Sequence, residues 1–415
     1  MPKYYLWTIG CQMNKAESER LGSYLEQHDY EETDSAENAD LIVLNSCVVR
    51  QSAENRVINK LHITKKLKAA RPKTVVAVTG CIVNNDVAPL RKRFPHVDYF
   101  FKAGGSLPLW EEPAATAYLP RKTGPSAFVP IIQGCDNFCS YCIVPYRRGR
   151  EKSRPLSEIA CEVTELVTGR AKEVTLLGQN VDSYGHDLPD KPDLADLLQE
   201  LNRIEGLARI RFLTNHPKDI SPRLIAAMAS LDKICEQISL PVQSGSDAVL
   251  QAMDRGYTVG QYRQIIAQLR NNLPNIALST DVILGFPSET ESQFRETADL
   301  LAELKFDKVH VAVYSPRPGT KAAREMEDNV PPGEKKRRLD IVEEMQEKIA
   351  AEINHELQGK IMEVLVEGSH KGKWWGRTRT DKLVFLSDIT DLTGELVNVK
   401  ITGTSPWSLQ GTPVR

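Results

Sequence analysis

Short, continuous apolar segments alternate with longer charged segments along most of the chain. In residues 1–102 the apolar segments are YYLWTIG, DLIVLNS and TVVAVTG, and the segments between them have apolar residues at helical spacing. Apolar runs of this length are typical of strands buried on both faces, and strand–helix alternation builds a parallel sheet. We therefore predict an α/β protein that begins with a doubly wound parallel-sheet domain over residues 1–102.

A second α/β series follows, and we assign residues 128–350 to it. Its strand candidates are FVPIIQ, EVTLLGQN, RIRFLTN, QISLPVQ, ALSTDVILG and KVHVAVYS. Six parallel strands with helical crossovers predict a (β/α) barrel or partial barrel, in which the C-terminal strand ends carry the chemistry. Residues 103–127, rich in Pro, Gly and Ala, are predicted to be a linker.

The pattern changes again near the C-terminus. Residues 335–357 predict a long, charged amphipathic helix. Residues 358–415 then contain KIMEVLVEGSH, GRTRT, LVFLSD and ELVNVKITGTS, short segments of β character. They predict a small C-terminal β-barrel.

Three cysteines each follow one of the first three predicted strands. Cys11, Cys47 and Cys81 stand in TIGCQ, LNSCV and TGCIV. Because parallel strands end at one edge of a sheet, where ligands bind, the three thiols are expected to converge as a metal or cluster site. The alternative is three small buried apolar residues, since cysteine is often buried in that way.

Three more cysteines lie in one segment, GCDNFCSYC, directly after the strand FVPIIQ. The spacing of Cys135, Cys139 and Cys142 is C-x3-C-x2-C, which also matches one helix face. Gly134 and the following Pro145 disfavour a helix, so we predict a loop around a cluster. The segment lacks the paired C-x2-C of a zinc ribbon and the cysteine run of a bacterial ferredoxin.

This loop and its surroundings resemble a known family. A C-x3-C-x2-C loop after the first strand of a parallel barrel is similar to that of radical S-adenosylmethionine (SAM) enzymes. The segments GCDNFCSYCIVPYRRGREKSR, EVTLLGQNVDSYG, RIRFLTNHP, LPVQSGS and SPRPGT resemble those of the MiaB-type tRNA methylthiotransferases. The resemblance covers essentially the whole chain.

The resemblance implies two 4Fe-4S clusters, each with one open iron. One would bind SAM and be held by Cys135, Cys139 and Cys142. The other, auxiliary cluster would be held by Cys11, Cys47 and Cys81. Tyr141 matches the family position that contacts the SAM adenine. Other SAM contacts are expected from position alone at Gln179, Gln243 and Ser244.

The reaction implied by the resemblance adds a methylthio group at C2 of N6-isopentenyladenosine, beside the tRNA anticodon. One SAM methylates sulfur associated with the auxiliary cluster, and another is cleaved reductively to a 5'-deoxyadenosyl radical that activates the C–H bond. An aromatic C–H has no acidic proton, so acid–base residues alone do not suffice and cofactors carry the chemistry. A reducing donor such as flavodoxin or ferredoxin is expected.

Two basic segments are candidates for RNA contact, since the net charge of −2 leaves no global basic field. RRGREKSR follows the cysteine loop, and HKGKWWGRTRTDK lies in the C-terminal module, which resembles the RNA-binding TRAM domain. Cations meet phosphates while aromatic rings stack on unpaired bases. The candidates are Arg147, Arg148, Arg150, Lys373, Trp374, Arg377 and Arg379. The alternative to RNA contact is a solvated basic turn for RRGREKSR, and a tryptophan buried in the core of the barrel for HKGKWWGRTRTDK.

The sequence leaves open two related substrates and one function that is not enzymatic. A related enzyme would modify threonylcarbamoyladenosine in tRNA or an aspartate of a ribosomal protein. If the protein is not an enzyme, the alternative is an iron–sulfur electron carrier or a redox-sensing RNA-binding protein. The sequence has neither a membrane-length apolar run nor a signal peptide, so we expect a cytoplasmic monomer with no membrane partner.

Overall fold

The computed structural model describes residues 1–49, 51–84, 86–105, 107–109, 124–370, 372–387 and 391–414. The described residues fall into two compact units. The first comprises the described parts of residues 1–122 together with 133–136 and 142–151. The second comprises the described parts of 123–132, 137–141 and 152–415.

The first unit contains a five-stranded parallel sheet with the strand order β2-β1-β3-β4-β5. Its elements are β1 (Lys3–Thr8), α1 (Gln12–Gln27), β2 (Glu31–Glu32), β3 (Leu41–Ser46), α2 (Gln51–Ala70), β4 (Val75–Gly80), α3 (Ala88–Arg93), β5 (Tyr99–Phe100) and α4 (Val144–Arg148). The three strands predicted from apolar runs are β1, β3 and β4, and they are neighbours in this sheet.

Each face of this sheet has its own apolar core. Leu44 and Val78 pack with Leu61 of α2 on one face. Val43 and Ala77 pack with residues of α1 on the other. Successive side chains of a strand point to opposite faces, so a fully apolar strand feeds both cores. The predicted doubly wound domain is confirmed.

The second unit begins with a parallel α/β series. Its elements are β6 (Ser126–Pro130), β7 (Ile132–Gln133), β8 (Lys152–Ser153), α5 (Leu156–Thr168), β9 (Glu173–Leu177), α6 (Leu194–Asn202), β10 (Arg209–Phe212), α7 (Pro222–Ser230), β11 (Gln237–Ser239), α8 (Asp247–Ala252), α9 (Val259–Asn272), β12 (Ala277–Leu284), α10 (Glu291–Leu304), β13 (Lys308–Val313), α11 (Lys321–Glu325) and α12 (Pro332–His355). The long helix predicted over residues 335–357 is α12.

Six strands of this series form two parallel sheets of three, in the orders β10-β9-β6 and β11-β12-β13. A parallel bridge between Ile210 of β10 and Ile234, just before β11, connects the two sheets. The predicted partial barrel is therefore confirmed. β10 and β11 end at Phe212 and Ser239, earlier than their apolar runs, and Thr214 and Gln243 beyond them have positive φ angles of 75° and 70°.

Side-chain caps fix where the surrounding helices begin. Thr258 and Gln261 form a reciprocal capping box at α9, and Thr290 and Gln293 form another at α10. Each box satisfies backbone N–H groups that have no partner within the helix. These caps fix the first residue of each helix.

The chain ends in a closed five-stranded barrel with the order β14-β15-β16-β18-β17. The strands are β14 (Ile361–His370), β15 (Lys373–Thr378), β16 (Leu383–Leu386), β17 (Leu396–Thr404) and β18 (Leu409–Pro413). Buried valine, leucine and isoleucine side chains from all but β15 fill its core. The predicted C-terminal β-barrel is confirmed.

The predicted linker, residues 103–127, lies largely outside the described residues. The exact domain boundaries stay predictions. Within the part of the chain that the structure describes, no helix has the length and apolar character needed to cross a membrane.

Candidate functional site

The structure brings together the three thiols predicted at strand ends. Cys47 and Cys81 directly follow β3 and β4, and Cys11 directly precedes α1 after β1. A Cβ atom on Gly10 would lie 2.8 Å from the Cβ of Cys47, so the two chain segments touch. Burial raises the pKa of the Cys81 thiol to about 11, and the charge of Cys47 adds to that rise. The three thiols thus share one edge of the sheet.

The loops that carry these thiols are held by buried amides. Asn14 Nδ2 donates to Asn45 Oδ1 at 2.9 Å and to the Ser46 carbonyl at 3.0 Å, and Asn45 Nδ2 donates to the Asn14 carbonyl. Gly80 has a φ angle of +88°, and a Cβ there would lie 2.3 Å from the Ser46 carbonyl oxygen. Only glycine allows this close approach beside Cys81.

A buried arginine lies beside the same thiols. Arg148, at the end of α4, has a side chain only 2% exposed and forms an ion pair of 2.5 Å with Glu17. Its positive charge opposes the burial-driven rise in the pKa of Cys81. This burial argues against the predicted contact between Arg148 and RNA phosphate, because the guanidinium already has a carboxylate partner and faces the thiols.

The donor chemistry of this thiol set fits an iron–sulfur cluster. Among the residues that the structure describes, no three His, Cys, Asp or Glu side chains are grouped tightly enough to hold a single metal ion. A cluster differs, because each iron takes its own ligand and soft thiolates are the ligands that it prefers. Thiols are the ligand type that an iron–sulfur cluster takes.

The second cysteine segment is a loop, as predicted. Residues 134–143 contain neither helix nor strand. Gly134 has a φ angle of +86°, and a Cβ there would lie 2.0 Å from the Arg150 carbonyl oxygen. Cys135 N donates to the Gly149 carbonyl at 3.2 Å. Half-buried Cys135 and Cys142 belong to the first unit, and buried Cys139 belongs to the second.

Cys139 is held against a second buried arginine. Arg255 Nη1 donates to Cys139 Sγ at 3.3 Å and to the Tyr141 hydroxyl at 3.4 Å. The neighbouring Ser140 N donates to the Met253 carbonyl, and Ala322 N donates to the Ser140 carbonyl. Arg255 was missed in the sequence, because it lies in a short loop after α8 with no motif around it.

Unpaired buried polar atoms cluster after the strands of the second unit. Gln243 is 9% exposed, and its Oε1 has no hydrogen-bond partner. The same holds for Asn180 Oδ1, Asn215 Oδ1 and His216 Nε2. Buried polar atoms without partners are costly, so they indicate a polar ligand at the C-terminal strand ends. Gln179 lies there too, half-buried.

Ser244 has a different environment from the one expected of a SAM contact. It is fully buried, and its hydroxyl lies 3.3 Å from Thr297 Oγ1 and accepts from Ser246 N at 3.2 Å. Because of these contacts the Ser244 hydroxyl points into the protein interior and stabilises the loop before α8. They argue against the predicted SAM contact for Ser244.

A histidine and a carboxyl group near these strand ends have unusual pKa values. Burial, together with the charge of Arg255, lowers the pKa of His216 to about 3, so its imidazole is neutral. Burial raises the pKa of Asp182 to about 7, although Asp182 accepts from His216 N at 2.7 Å and Asn215 Nδ2 at 2.6 Å. Perturbed groups of this kind mark functional sites, and neither was singled out from the sequence.

The two arginines predicted for RNA contact on the barrel have carboxylate partners instead. Arg379 donates to both oxygens of Glu236 at 2.8–3.1 Å. Arg377 pairs with Glu367 at 3.3 Å and with Asp381 at 2.9 Å. These ion pairs argue against a phosphate contact by either guanidinium.

The same arginines join the barrel to the parallel strands of the second unit. Fully buried Arg209 donates to the Arg377 carbonyl at 2.8 Å and to Glu363 Oε1 at 2.8 Å. Arg211 donates to the Arg379 carbonyl at 2.8 Å. The Arg379 guanidinium, paired with Glu236, therefore has a structural role, whereas the Arg377 guanidinium pairs with carboxylates of the barrel itself.

The remaining RNA candidates keep accessible groups. Lys373 is exposed, whereas Trp374 is half-buried and packs against the barrel core. The Arg150 side chain is 74% exposed and pairs with Asp136 at 2.7 Å. Arg147 is half-buried, and its Nε is buried without a hydrogen-bond partner. Their contacts with RNA stay predictions.

The two kinds of basic residue predict different mutant behaviour. Arg379→Ala is expected to lower the free energy of unfolding by about 1.5–3 kcal/mol, because Glu236 loses a charged hydrogen-bond partner, and to leave the salt dependence of tRNA binding unchanged. Lys373→Ala is expected to reduce the slope of log K against log salt by about 0.7–0.9 and to leave stability unchanged. Urea unfolding and tRNA binding at several salt concentrations measure both. Unchanged stability with a smaller slope in Arg379→Ala would restore its RNA role.

Three family models match successive parts of the chain. "Uncharacterized protein family UPF0004" matches residues 3–102, the radical SAM superfamily matches residues 129–301, and the TRAM domain matches residues 356–414. Membership of the radical SAM superfamily implies a 4Fe-4S cluster and SAM.

Curated relatives match over the full length. A tRNA-2-methylthio-N(6)-dimethylallyladenosine synthase from Dehalococcoides mccartyi is 58% identical over 415 residues, covering 100% of this chain and 99% of the relative. A synthase of the same name from Chloroflexus aurantiacus is 49% identical over 425 residues, covering 99% of this chain and 91% of the relative.

Solved structures share the fold. The radical SAM methyltransferase TsrM from Kitasatospora setae, with cobalamin and a [4Fe-4S] cluster bound, has a TM-score of 0.59 and 14% identity over 90% of this chain and 81% of that chain. The cobalamin-dependent SAM radical enzyme OxsB has a TM-score of 0.52 and 12% identity over 83% of this chain and 56% of that chain. At these identities the likeness concerns the fold alone.

The full-length identity to the curated relatives shows the family as well as the fold. This chain belongs to the tRNA-2-methylthio-N(6)-dimethylallyladenosine synthases, which are radical SAM methylthiotransferases.

Proposed function

We propose that this protein adds a methylthio group to C2 of N6-isopentenyladenosine, which is N6-dimethylallyladenosine, in the anticodon stem-loop of tRNA. The observation that carries the proposal is the presence of two separate sets of three thiols, each short of one ligand, in a chain 58% identical to such a synthase over its full length. A structural zinc site would be closed by four ligands.

The loop thiols of Cys135, Cys139 and Cys142 hold the SAM-binding cluster in this proposal. When bound, that cluster and SAM supply the one-electron chemistry that removes hydrogen from an unactivated C–H bond. The chain's own part is to hold and orient. Tyr141 packs against an apolar cluster that includes Met253 and Phe286, and an adenine lies on this apolar surface in the proposal.

The strand-end polar atoms of the second unit orient SAM. Gln243 Oε1, Asn215 Oδ1 and Asn180 Oδ1 are acceptors without partners, so they fit the ammonium and hydroxyl donors of SAM. The neutral imidazole of His216 adds an unpaired ring nitrogen. Gln179, half-buried at the same strand ends, is a further candidate.

The strand-end thiols of Cys11, Cys47 and Cys81 hold the auxiliary cluster in this proposal. Cys47 and Cys81 are buried, whereas Cys11 is exposed. The guanidinium of Arg148 lies beside Cys81, and its positive charge favours the thiolate form of that side chain, the form that binds iron, against the effect of burial on its pKa. Glu17 fixes the position of that guanidinium.

The partners follow from the chemistry. An electron donor such as flavodoxin or ferredoxin supplies the reducing equivalents, and the protein acts as a cytoplasmic monomer. The exposed cations Lys373 and Arg150 contact tRNA phosphates, with Arg147 beside them. Trp374, which is half-buried, stacks on a base in this proposal.

Nucleoside mass spectrometry of tRNA tests this function. A strain without this protein is expected to lose methylthio-isopentenyladenosine and to accumulate isopentenyladenosine, and the wild-type chain is expected to restore the modification. Loss of a methylthio derivative of threonylcarbamoyladenosine instead would assign a different substrate. An intact set of tRNA nucleosides in the deletion strain would contradict the proposal altogether.

A further inference from the structure

Arg255 carries a positive charge into the interior beside a proposed cluster ligand. The residue is 5% exposed. Its hydrogen-bond acceptors are Cys139 Sγ, the hydroxyls of Tyr141 and Tyr257, and the Pro241 carbonyl. Among the described residues, none of these hydrogen-bond partners is a carboxylate, so no acidic group contacts the guanidinium directly.

Three other arginines with buried side chains pair with glutamates. Arg148 pairs with Glu17 and Arg338 pairs with Glu289. Arg211 pairs with Glu173 at 3.0 Å. An unbalanced buried charge costs several kcal/mol, roughly the penalty of desolvating one ion. Arg255 differs from these three, because its hydrogen-bond acceptors are a thiol, two hydroxyls and a carbonyl, and this indicates an anion that binds next to Cys139.

Neighbouring groups fix the Arg255 guanidinium in position beside Cys139 Sγ. Tyr257 accepts from Arg255 Nε at 3.1 Å and itself donates to the Val242 carbonyl at 2.7 Å. The guanidinium also lies 5.3 Å from the centre of the Tyr257 ring. The planar fork is thus fixed before any ligand binds, which a flexible lysine would not achieve.

We propose that Arg255 is the counter-charge of the SAM-binding cluster and raises its reduction potential, an inference that rests on the proposed role of Cys139 as a ligand. Three thiolates give the cluster a net negative charge, which grows when it accepts an electron. Net charge and hydrogen bonds to the sulfurs set such potentials. The electron comes from the reducing donor, and no bond to Arg255 forms or breaks. Arg255 is a positioning residue, because it acts through the cluster and not on the substrate.

A redox titration followed by electron paramagnetic resonance tests this role. The auxiliary ligands Cys11, Cys47 and Cys81 are first replaced by alanine, so that only the SAM-binding cluster contributes. Arg255→Met is expected to reduce the equilibrium constant for one-electron reduction at least tenfold, a shift of about 59 mV to lower potential. Arg255→Lys, which keeps the charge and loses the fork, is expected to give a smaller shift in the same direction.

Arg263→Met is the matched control. This exposed arginine of α9 pairs with Glu303 at 2.7 Å, and solvent screens its charge, so the potential is expected to stay unchanged. A cluster in Arg255→Met with the wild-type potential would overturn the inference. If Arg255→Met assembles no cluster, Arg255→Gln, which also removes the charge, is titrated in its place, and a wild-type potential in that variant would overturn the inference equally. Absence of a cluster from the protein with an intact loop would instead contradict the proposed function.

Discussion

Cys139→Ala abolishes the cleavage of SAM to 5'-deoxyadenosine, with an expected loss of at least about 1,000-fold, since enzymes accelerate reactions by a factor of a million or more. The variant leaves only two thiols in the loop, and it removes the sulfur that accepts a hydrogen bond from Arg255. A buried guanidinium without that acceptor disfavours the assembled site as well. Anaerobic assays with SAM and dithionite, analysed by mass spectrometry, measure the product.

Cys235→Ala is the matched control for this experiment. Cys235 is also buried, at 1% exposure, and burial raises the pKa of its thiol to about 11, so it is an inert, protonated side chain. The control is expected to keep full iron content and full cleavage activity. Equal activity in Cys139→Ala and wild type, at equal iron content, would remove Cys139 from the site.

The strands and both cysteine sets were predictable because their signals are local. Buried parallel strands appear as continuous apolar runs, and Cys47 and Cys81 come one residue after such runs. The loop at Cys139 follows from residues that disfavour a helix. Patterns of this kind need no knowledge of distant parts of the chain.

The partners of charged residues were not predictable, because they depend on contacts distant in sequence. Arg148 and Glu17 are 131 positions apart, and Arg379 and Glu236 are 143 apart. A run of arginines in the sequence shows that positive charge is present. It does not show whether a carboxylate elsewhere in the chain already pairs with that charge. Basic segments are for that reason weaker predictors of RNA contact than cysteine spacing is of a cluster.

Positive φ angles at residues other than glycine were equally hidden. Gln243 adopts φ +70° directly after the run QISLPV, where the residue type gives no indication of it. Strain of this kind persists where surrounding structure imposes it, often at ligand sites. The position of Gln243 was predicted, whereas its unpaired Oε1 and its backbone geometry needed the structure.

Cys81→Ala separates the two thiol sets. It is expected to reduce methylthiolated tRNA nucleoside by at least about 1,000-fold while 5'-deoxyadenosine formation continues, because the loop ligands are intact and the lost thiol belongs to the auxiliary set. Bound iron is expected to fall by about half, as one of two 4Fe-4S clusters is lost. Iron analysis, deoxyadenosine assays and nucleoside mass spectrometry on the same preparation measure the three quantities.

Ile82→Ala controls for local damage in the Cys81 experiment. Ile82 is the next residue of the same loop, 8% exposed, and its truncation removes apolar packing worth about 2–5 kcal/mol without removing a thiol. It is expected to retain iron and both products. If Cys81→Ala also lost 5'-deoxyadenosine while Ile82→Ala did not, the two sets would not act separately, because one thiol at the sheet edge would then be needed for SAM cleavage itself.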